Sequence, residues 1–299
     1  MVNNQMPLTE ENSVGKFILA GEHFVVYDKK AIAFPLKSKK FNLKIFESDK
    51  YNFKINGKDL SNEFSLVAAK AYNLCGLENN IGSKLSFIGS TSIPLGGGLG
   101  SSASICVNII KSLYKYKTQH ISNEEIAIKA NELEKFFHGN PSGLDVSVIS
   151  KETPIIFQKN SKASDLKINK SLSFVLIDTK KRSKTIDMVN VARQYIKENP
   201  SILSDYDQIF NLYTAAFKEE KYEDIPSLIK ENNKLLNKIG VSSKESEFIR
   251  DELKNKFGID SKITGAGGGG MMLGLIEDLS EKNINSLKNT FDDFFITKI

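Results

Sequence analysis

The stretch Ile93-Pro-Leu-Gly-Gly-Gly-Leu-Gly-Ser-Ser-Ala-Ser104 constrains this chain more than any other. Gly96, Gly97, Gly98 and Gly100 crowd together, and two serines and a helical pattern follow at once. Glycine has no Cβ, so it reaches positive φ angles and lets the backbone come close to a ligand. A helix that begins at the serines directs unpaired N–H groups, and the positive end of its dipole, into the loop. The segment therefore asks for a strand–loop–helix unit whose loop suits an anion, phosphate before others. An ordinary flexible glycine turn is the other reading of the same residues. The spacing is not Gly-x-x-x-x-Gly-Lys-Ser/Thr, which excludes the common P-loop. The helix after two serines also departs from a dinucleotide fingerprint.

The flanking pattern supplies that unit. Leu85 to Ile88 reads as the strand leading in, and Ser102 to Tyr116 as the helix leading out, with Ile105, Ile109 and Leu113 at core spacing. Upstream, Val14 to Leu19 reads as a buried strand, and Phe24 to Tyr27 as a second apolar run after the turn Ala-Gly-Glu-His23. Ala31 to Leu36 continues as strand. Phe41 to Phe46 and Tyr51 to Ile55 alternate as antiparallel strands do. Asn62 to Cys75 is predicted as a helix stopped by Gly76. Ser122 and Glu125 form a capping box for the next helix, whose stripe is Ile126, Ala130, Leu133 and Phe137 and whose end is Gly139. A loop then leads to a strand at Ile155 to Phe157, and the lysine- and serine-rich stretch Lys159 to Lys170 reads as a linker. Leu172 to Asp178 is a strand, and Ile186 to about Arg250 is helical with a break at Asn199-Pro200. Ser261 to Thr264 and Met271 to Ile276 are strands on either side of Gly265-Ala-Gly-Gly-Gly-Gly270, followed by a helix from Ser280 to Thr290 and a last strand. An α+β chain of two domains, 1–170 and 171–299, is the expectation.

Composition narrows the function classes. Hydrophobic content of 40% and charged content of 26% over 299 residues belong to an ordinary globular chain with material for a large core. No run reaches the eighteen or so apolar residues of a membrane span. Met1 to Asn12 is polar, unlike a signal peptide, and reads as a frayed tail. Cys75 and Cys106 stand far apart in apolar surroundings, which speaks for a reducing, cytoplasmic location and against disulfides or zinc. The net charge of +5 is carried by lysines spread among glutamates, with Arg182, Arg193 and Arg250 as the arginines. Nucleic-acid sites gather arginines and stacking aromatics, so a solvated lysine-rich surface is the better reading. Assembly is left open, a homodimer included.

Four segments can carry chemistry. Lys16 opens an apolar strand, and Glu22 and His23 stand in the turn that ends it. In the glycine loop, Ser101 and Ser102 offer hydroxyls to phosphate or Mg²⁺. Glu134 borders the stripe of its helix, where a solvated rim residue is the bland reading. Asp145 follows a Pro-Ser-Gly turn, where an aspartate usually caps, and His138 at a helix end usually partners the dipole. The second glycine cluster, within Lys262-Ile-Thr-Gly-Ala-Gly-Gly-Gly-Gly-Met-Met272, costs much backbone entropy for a mere turn. Together these residues match the parts of phosphoryl transfer: backbone donors for phosphates, a carboxylate and hydroxyl for Mg²⁺, a base for the attacking hydroxyl, and a cation between them.

At this point the chain resembles the GHMP small-molecule kinases. Gly15-Lys-Phe-Ile-Leu-Ala-Gly-Glu-His-Phe-Val-Val-Tyr27 is similar to the first family motif, Pro94-Leu-Gly-Gly-Gly-Leu-Gly-Ser-Ser-Ala103 to the phosphate loop, and Thr264-Gly-Ala-Gly-Gly-Gly-Gly270 to the third motif. His138-Gly-Asn-Pro-Ser-Gly-Leu-Asp145 resembles the base-bearing segment of members that act on mevalonate. The Gly-Glu-His turn points the same way, since sugar-phosphorylating members continue differently and phosphomevalonate-phosphorylating ones usually have Gly-Glu-Tyr. The resemblance implies ATP- and Mg²⁺-dependent phosphorylation of the primary hydroxyl of mevalonate, in isoprenoid biosynthesis. It further implies Asp145 as base or orienting group and Lys16 as its cationic partner. Glu134 and Ser101 would hold Mg²⁺. Pro94, Gly96, Gly97, Gly98, Leu99, Gly100, Ser101, Ser102 and Ala103 would wrap the ATP phosphates. Glu22, His23, Arg182, Thr264, Gly267 and Gly268 would meet the substrate. The implied fold has a ribosomal-protein-S5-like N-terminal domain and a ferredoxin-like C-terminal domain, with the cleft between them. Ser13-Val14 stands where Ala-Pro is usual and Asp28 where glycine is usual; both touch local shape rather than the chemistry. Another acceptor (phosphomevalonate, homoserine or a sugar) is the alternative. So is an inactive nucleotide sensor, although such a protein typically loses the base or the metal carboxylate, and this chain has both.

Overall fold

The computed structural model describes residues 6–77 and 84–299. Their packing forms two compact units, and the chain passes between the two more than once. One unit takes residues 1–16, 35–95 and 100–152; the other takes 17–34, 96–99 and 153–299. A single cut at residue 170 therefore does not describe the packing.

In the first unit, strand β1 (Thr9–Ala20) begins and strand β2 (Ala31–Ser48) ends. From Phe41 to Ser48, β2 pairs antiparallel with β5 (Lys84–Thr91), Phe41 opposite Thr91. Here Phe41, Leu43 and Ile45 are buried and the residues between them are not, the period-2 alternation of a strand with one face on a core. Strand β3 (Asn52–Ile55) lies on the other side of β5 and runs parallel to it; only its short partner β4 (Lys58–Asp59) is antiparallel to it. The alternation of 51–55 was right for a strand, but the antiparallel expectation fails against β5, because periodicity does not encode the partner's direction. Helix α1 (Ser61–Leu74) carries the expected stripe of Phe64, Val67, Ala68 and Ala71. Helix α2 (Ser101–Tyr116) is buried on nearly all sides from Ala103 to Ile110, as a central helix must be. Around it pack α1, α3 (Asn123–His138) and α4 (Leu144–Lys151). The Ser122–Glu125 capping box forms as expected. Phe137, expected in the core stripe, is 37% exposed and instead lies against Phe64, ring centres 5.5 Å apart.

Residues 1–5 of the expected tail lie outside the described residues, but Thr9–Asn12 already belong to β1, and Leu8 N–H donates to the Ile45 carbonyl at 2.8 Å. Helix α4 occupies part of the stretch expected as loop.

In the second unit, Ala31 to Ala33 of β2 pair antiparallel with β6 (Ile155–Phe157), and β7 (Ser164–Asp165) pairs with β6, so the expected linker carries ordered sheet. A four-stranded antiparallel sheet runs in the order β11 (Phe294–Lys298), β8 (Ser173–Asp178), β10 (Met271–Leu275), β9 (Ser261–Thr264). The helical stretch resolves into α5 (Thr185–Glu198), α6 (Ile202–Lys218), α7 (Ile225–Lys238) and α8 (Lys244–Phe257), with α9 (Glu281–Thr290) before the last strand. Helices α7 and α8 pack on β9 and β10. Phe17, Phe34 and Phe174 form an aromatic core, centroids 5.1 to 5.9 Å apart. The apolar run Phe24 to Tyr27 is a 3-10 turn (Val25–Tyr27) rather than a strand; Phe24 stacks on Tyr206 at 4.3 Å.

Candidate active site

In the first unit the site is built on β1, α2, α3 and α4. Ser104 Oγ of α2 donates to the Val14 carbonyl at 2.6 Å, and Ser13 Oγ donates to the Ser104 carbonyl at 2.9 Å. These buried bonds fix the register of β1, and Lys16, two residues beyond Val14, emerges on the same face. Its side chain is 2% exposed and its Nζ lies 3.1 Å from Asp145 Oδ2; Asp145 is 32% exposed. Asp145 stands in the first turn of α4, after Gly143 at φ 88°, where the helix dipole favours a carboxylate. Gly100, at φ 74°, is required by this packing: a Cβ there would fall 2.8 Å from Lys16 Cγ and 3.1 Å from Ile149 Cδ1.

Glu134 is 3% exposed, so the rim reading of this residue does not hold. Burial, helped by the negative charge of Asp145, pushes its pKa up to about 7, against the Ser102 hydroxyl and the Lys16 ammonium, which favour the ionised form. Its Oε1 is buried with no hydrogen-bond partner among the described residues. Ser102 Oγ and His138 Nε2 are 2.9 Å apart, and His138 Nε2 lies 3.9 Å from Glu134 Oε2. Burial lowers the His138 pKa, which favours the neutral ring. Ser102 thus stands beside both the His138 ring and the Glu134 carboxylate. The sequence reading missed His138 as a part of this cluster; its spacing of four residues from Glu134 on one helix was the available signal. Ser101 is the first residue of α2 and is half-buried.

In the second unit the two glycine clusters meet. A Cβ on Gly98 (φ 81°) would fall 2.4 Å from the Thr264 carbonyl oxygen. Gly97 lies close to Gly270 as well, where a Cβ would fall 3.0 Å from the Gly97 carbonyl oxygen. Both loops therefore need glycine because backbone packs on backbone, a reason that motif spacing alone does not reveal. Thr264 Oγ1 accepts from Ile18 N–H at 2.7 Å. Gly268 N–H donates to the Val241 carbonyl at 2.7 Å and its own carbonyl accepts from Ser183 Oγ at 2.6 Å, while Gly267 packs on Val241. His23 is 8% exposed at φ 64°, and its Nε2 donates to the Ala266 carbonyl at 2.8 Å. Burial pushes its pKa down to about 4 and keeps the ring neutral. Glu22 is buried, its carboxylate held by Lys262, a residue that the sequence reading did not single out. Arg182 forms a bidentate pair with Asp178, 2.7 and 2.6 Å, and its aliphatic stem lies against Gly96. Burial works to raise the Asp178 pKa, but the Arg182 hydrogen bonds and charge bring it below the usual carboxylate value. Pro94 is half-buried and Leu95 exposed.

Each unit thus collects its own share of the expected residues: Lys16, Gly100, Ser101, Ser102, Ala103, Glu134 and Asp145 in one, and Glu22, His23, Gly96 to Leu99, Arg182, Thr264, Gly267 and Gly268 in the other. The family description "GHMP kinases N terminal domain" matches residues 65–151 and "GHMP kinases C terminal" matches residues 213–293. The mevalonate kinase of Methanocaldococcus jannaschii is 30% identical to this chain in an alignment covering 90% of it and 92% of the relative. The crystal structure of the Methanococcus jannaschii mevalonate kinase aligns with a TM-score of 0.81 at 28% identity, over 99% of this chain and 98% of that one. The L. major mevalonate kinase in complex with R-mevalonate gives a TM-score of 0.81 over 97% and 95%, at 22% identity, a likeness of fold. The chain belongs to the GHMP kinase family and is an ATP-dependent kinase.

Proposed function

We propose that this kinase transfers the γ-phosphoryl group of ATP to the primary hydroxyl of mevalonate, giving 5-phosphomevalonate for isoprenoid biosynthesis. The observation that carries the reading is the buried Lys16 ammonium 3.1 Å from the Asp145 carboxylate, in a chain whose 30% identical relative is a mevalonate kinase. An ammonium at that distance holds the carboxylate in place and sets a positive charge beside the position that the attacking hydroxyl would take. Asp145 takes the hydroxyl proton, or orients that hydroxyl, as its oxygen attacks phosphorus. Lys16 offsets negative charge on the moving phosphoryl group. Backbone N–H groups from Gly96 to Gly100, with Pro94, Leu99, Ser101, Ser102 and Ala103 framing them, bind the ATP phosphates at the start of α2.

The residues also fit Mg²⁺. Among the described residues no three acidic, His or Cys side chains gather as a metal cage. A single buried carboxylate with an unpartnered oxygen, as at Glu134, suits a cation that takes its other ligands from hydroxyl, water and phosphate. Glu134 and Ser101 are the proposed holders, and the bound ion would neutralise phosphate charge. His23, Thr264, Gly267 and Gly268 are proposed to face the acceptor, and Glu22 with them. Arg182, its guanidinium shared with Asp178, is proposed to meet the acceptor carboxylate through its exposed edge. The division into 1–170 and 171–299 is proposed for the chain order of the two family segments, which match residues 65–151 and 213–293. A cytoplasmic location is proposed on the two buried free thiols, while among the described residues no helix is long and apolar enough to cross a membrane. ATP, Mg²⁺ and mevalonate are the ligands of this reading, with no nucleic acid or membrane; solution mass tests a homodimer.

Purified protein should release ADP when given mevalonate and MgATP. Asp145→Asn should lose most of that turnover, roughly a hundredfold or more, while nucleotide binding by titration calorimetry stays near that of the unaltered protein. Full activity in Asp145→Asn would overturn the base assignment.

A further inference from the structure

Lys262 is 0% exposed and Glu22 is 2% exposed, and the ammonium of one is held on the carboxylate of the other. Taking both charges out of water is costly, and a buried pair of this kind is often replaced by apolar residues without loss of stability. Stability therefore does not account for it. Geometry does. Lys262 Nζ also donates to its neighbour's carbonyl, Ile263 O, at 2.8 Å and to Ile18 O at 3.3 Å. On one side of this junction Ile18 N–H reaches Thr264 Oγ1 at 2.7 Å; on the other, His23 Nε2 reaches the Ala266 carbonyl at 2.8 Å. Residues 18–23 and 262–266 are thus laced together at three levels, with the charged pair in the middle. From α7, Asn232 Nδ2 adds a bond to the Leu19 carbonyl at 3.2 Å. His23 is a non-glycine residue at φ 64°, a conformation that persists only where its surroundings hold it.

We infer that Lys262 is a positioning residue for acceptor recognition: by clamping Glu22, it sets His23 and the Thr264–Gly268 loop in register with each other. This rests on the proposal that those residues face the acceptor. It also changes the part given to Glu22, whose charge is committed to Lys262 and which acts through it rather than by direct contact with substrate.

The test uses Glu22→Gln, Lys262→Met and the double variant in the full chain. Lys262→Met strands a buried carboxylate and should lower the melting temperature; the double variant should recover most of that loss. The KM for mevalonate should rise about tenfold or more in all three, with the KM for ATP within about twofold of the unaltered protein. Stability that recovers while acceptor KM does not is the signature of positioning; a simple brace would recover both. Glu22→Gln keeps the volume and a carbonyl oxygen to accept from Lys262, although it leaves that ammonium without a counter-charge, so it reads the acceptor effect even if Lys262→Met fails to fold. Unchanged acceptor KM in Glu22→Gln, or full recovery of KM in the double variant, overturns the inference. The ¹⁵N signal of the His23 ring, measured without ligand, separates this from the substrate assignment. It should shift in Glu22→Gln whatever the acceptor proves to be, and an unmoved signal counts against the clamp. Absence of ADP release from the unaltered protein with mevalonate counts against the substrate alone.

Discussion

Glu134 is a buried carboxylate with one unpartnered oxygen, and the folded protein alone accommodates its charge poorly. Burial raises its pKa to about 7 from an ordinary 4.5, so between those values the folded state holds a proton that the unfolded state has released. More protons in the folded state mean that stability falls as pH rises through this window, by roughly 3 kcal/mol in all. Glu134→Gln removes that dependence. In metal-free protein the variant should melt at nearly the same temperature as the unaltered chain near pH 4.5 and at a higher one at pH 8. Mg²⁺ with nucleotide should narrow the gap at pH 8, because the cation stabilises the ionised carboxylate of the unaltered chain only. Scanning calorimetry across pH checks both, and a gap independent of pH would contradict the assignment. Helical periodicity set Glu134 at the edge of its stripe; what buries that edge is the packing of α2 and α4 on α3, which no window of sequence contains. The same applies to His138, whose partner Ser102 is distant in the chain.

At the scale of elements, glycine content was legible and its reason was not. Both clusters read as ligand-facing loops, yet Gly98 sits against the Thr264 carbonyl and Gly97 against Gly270. Gly98→Ala would put a methyl group within 2.4 Å of a backbone oxygen, at φ 81°, where an L side chain is already strained. The cost should be about 1 to 3 kcal/mol in stability. Activity should fall by about a hundredfold as the phosphate loop shifts. Calorimetry and steady-state rates measure the two; a variant close to the unaltered protein in both would mean that the loops do not depend on this contact. Long, strongly periodic elements such as α1, α2 and α3 were readable, as was the Ser122–Glu125 cap. Helix α4 was not, since its few residues alternate Leu144, Val146 and Val148 with polar ones and give no helical period. The direction of β3 against β5 and the 3-10 turn after His23 escaped for a related reason: both are set by what the segment packs on.

At the scale of the whole molecule, the α+β class with two domains was readable, and the interleaving of the two compact units was not. β1 and β2 each start in one unit and finish in the other, and the residues of the phosphate loop divide between the units at Leu99 and Gly100. A local reading assigns each segment to one domain and cannot detect a strand that serves both. The family assignment survives this because the motifs are local, and it fixes the reaction as phosphoryl transfer from ATP. The acceptor rests on shorter evidence: the Gly-Glu-His turn, the run from His138 to Asp145 and the 30% identity to the mevalonate kinase of Methanocaldococcus jannaschii. The most direct test is coupled ADP release with mevalonate, phosphomevalonate, homoserine and galactose, supplied in turn to the same MgATP-loaded protein. The account predicts turnover with mevalonate and little with the other three. Turnover that favours one of the others, with none on mevalonate, would contradict it.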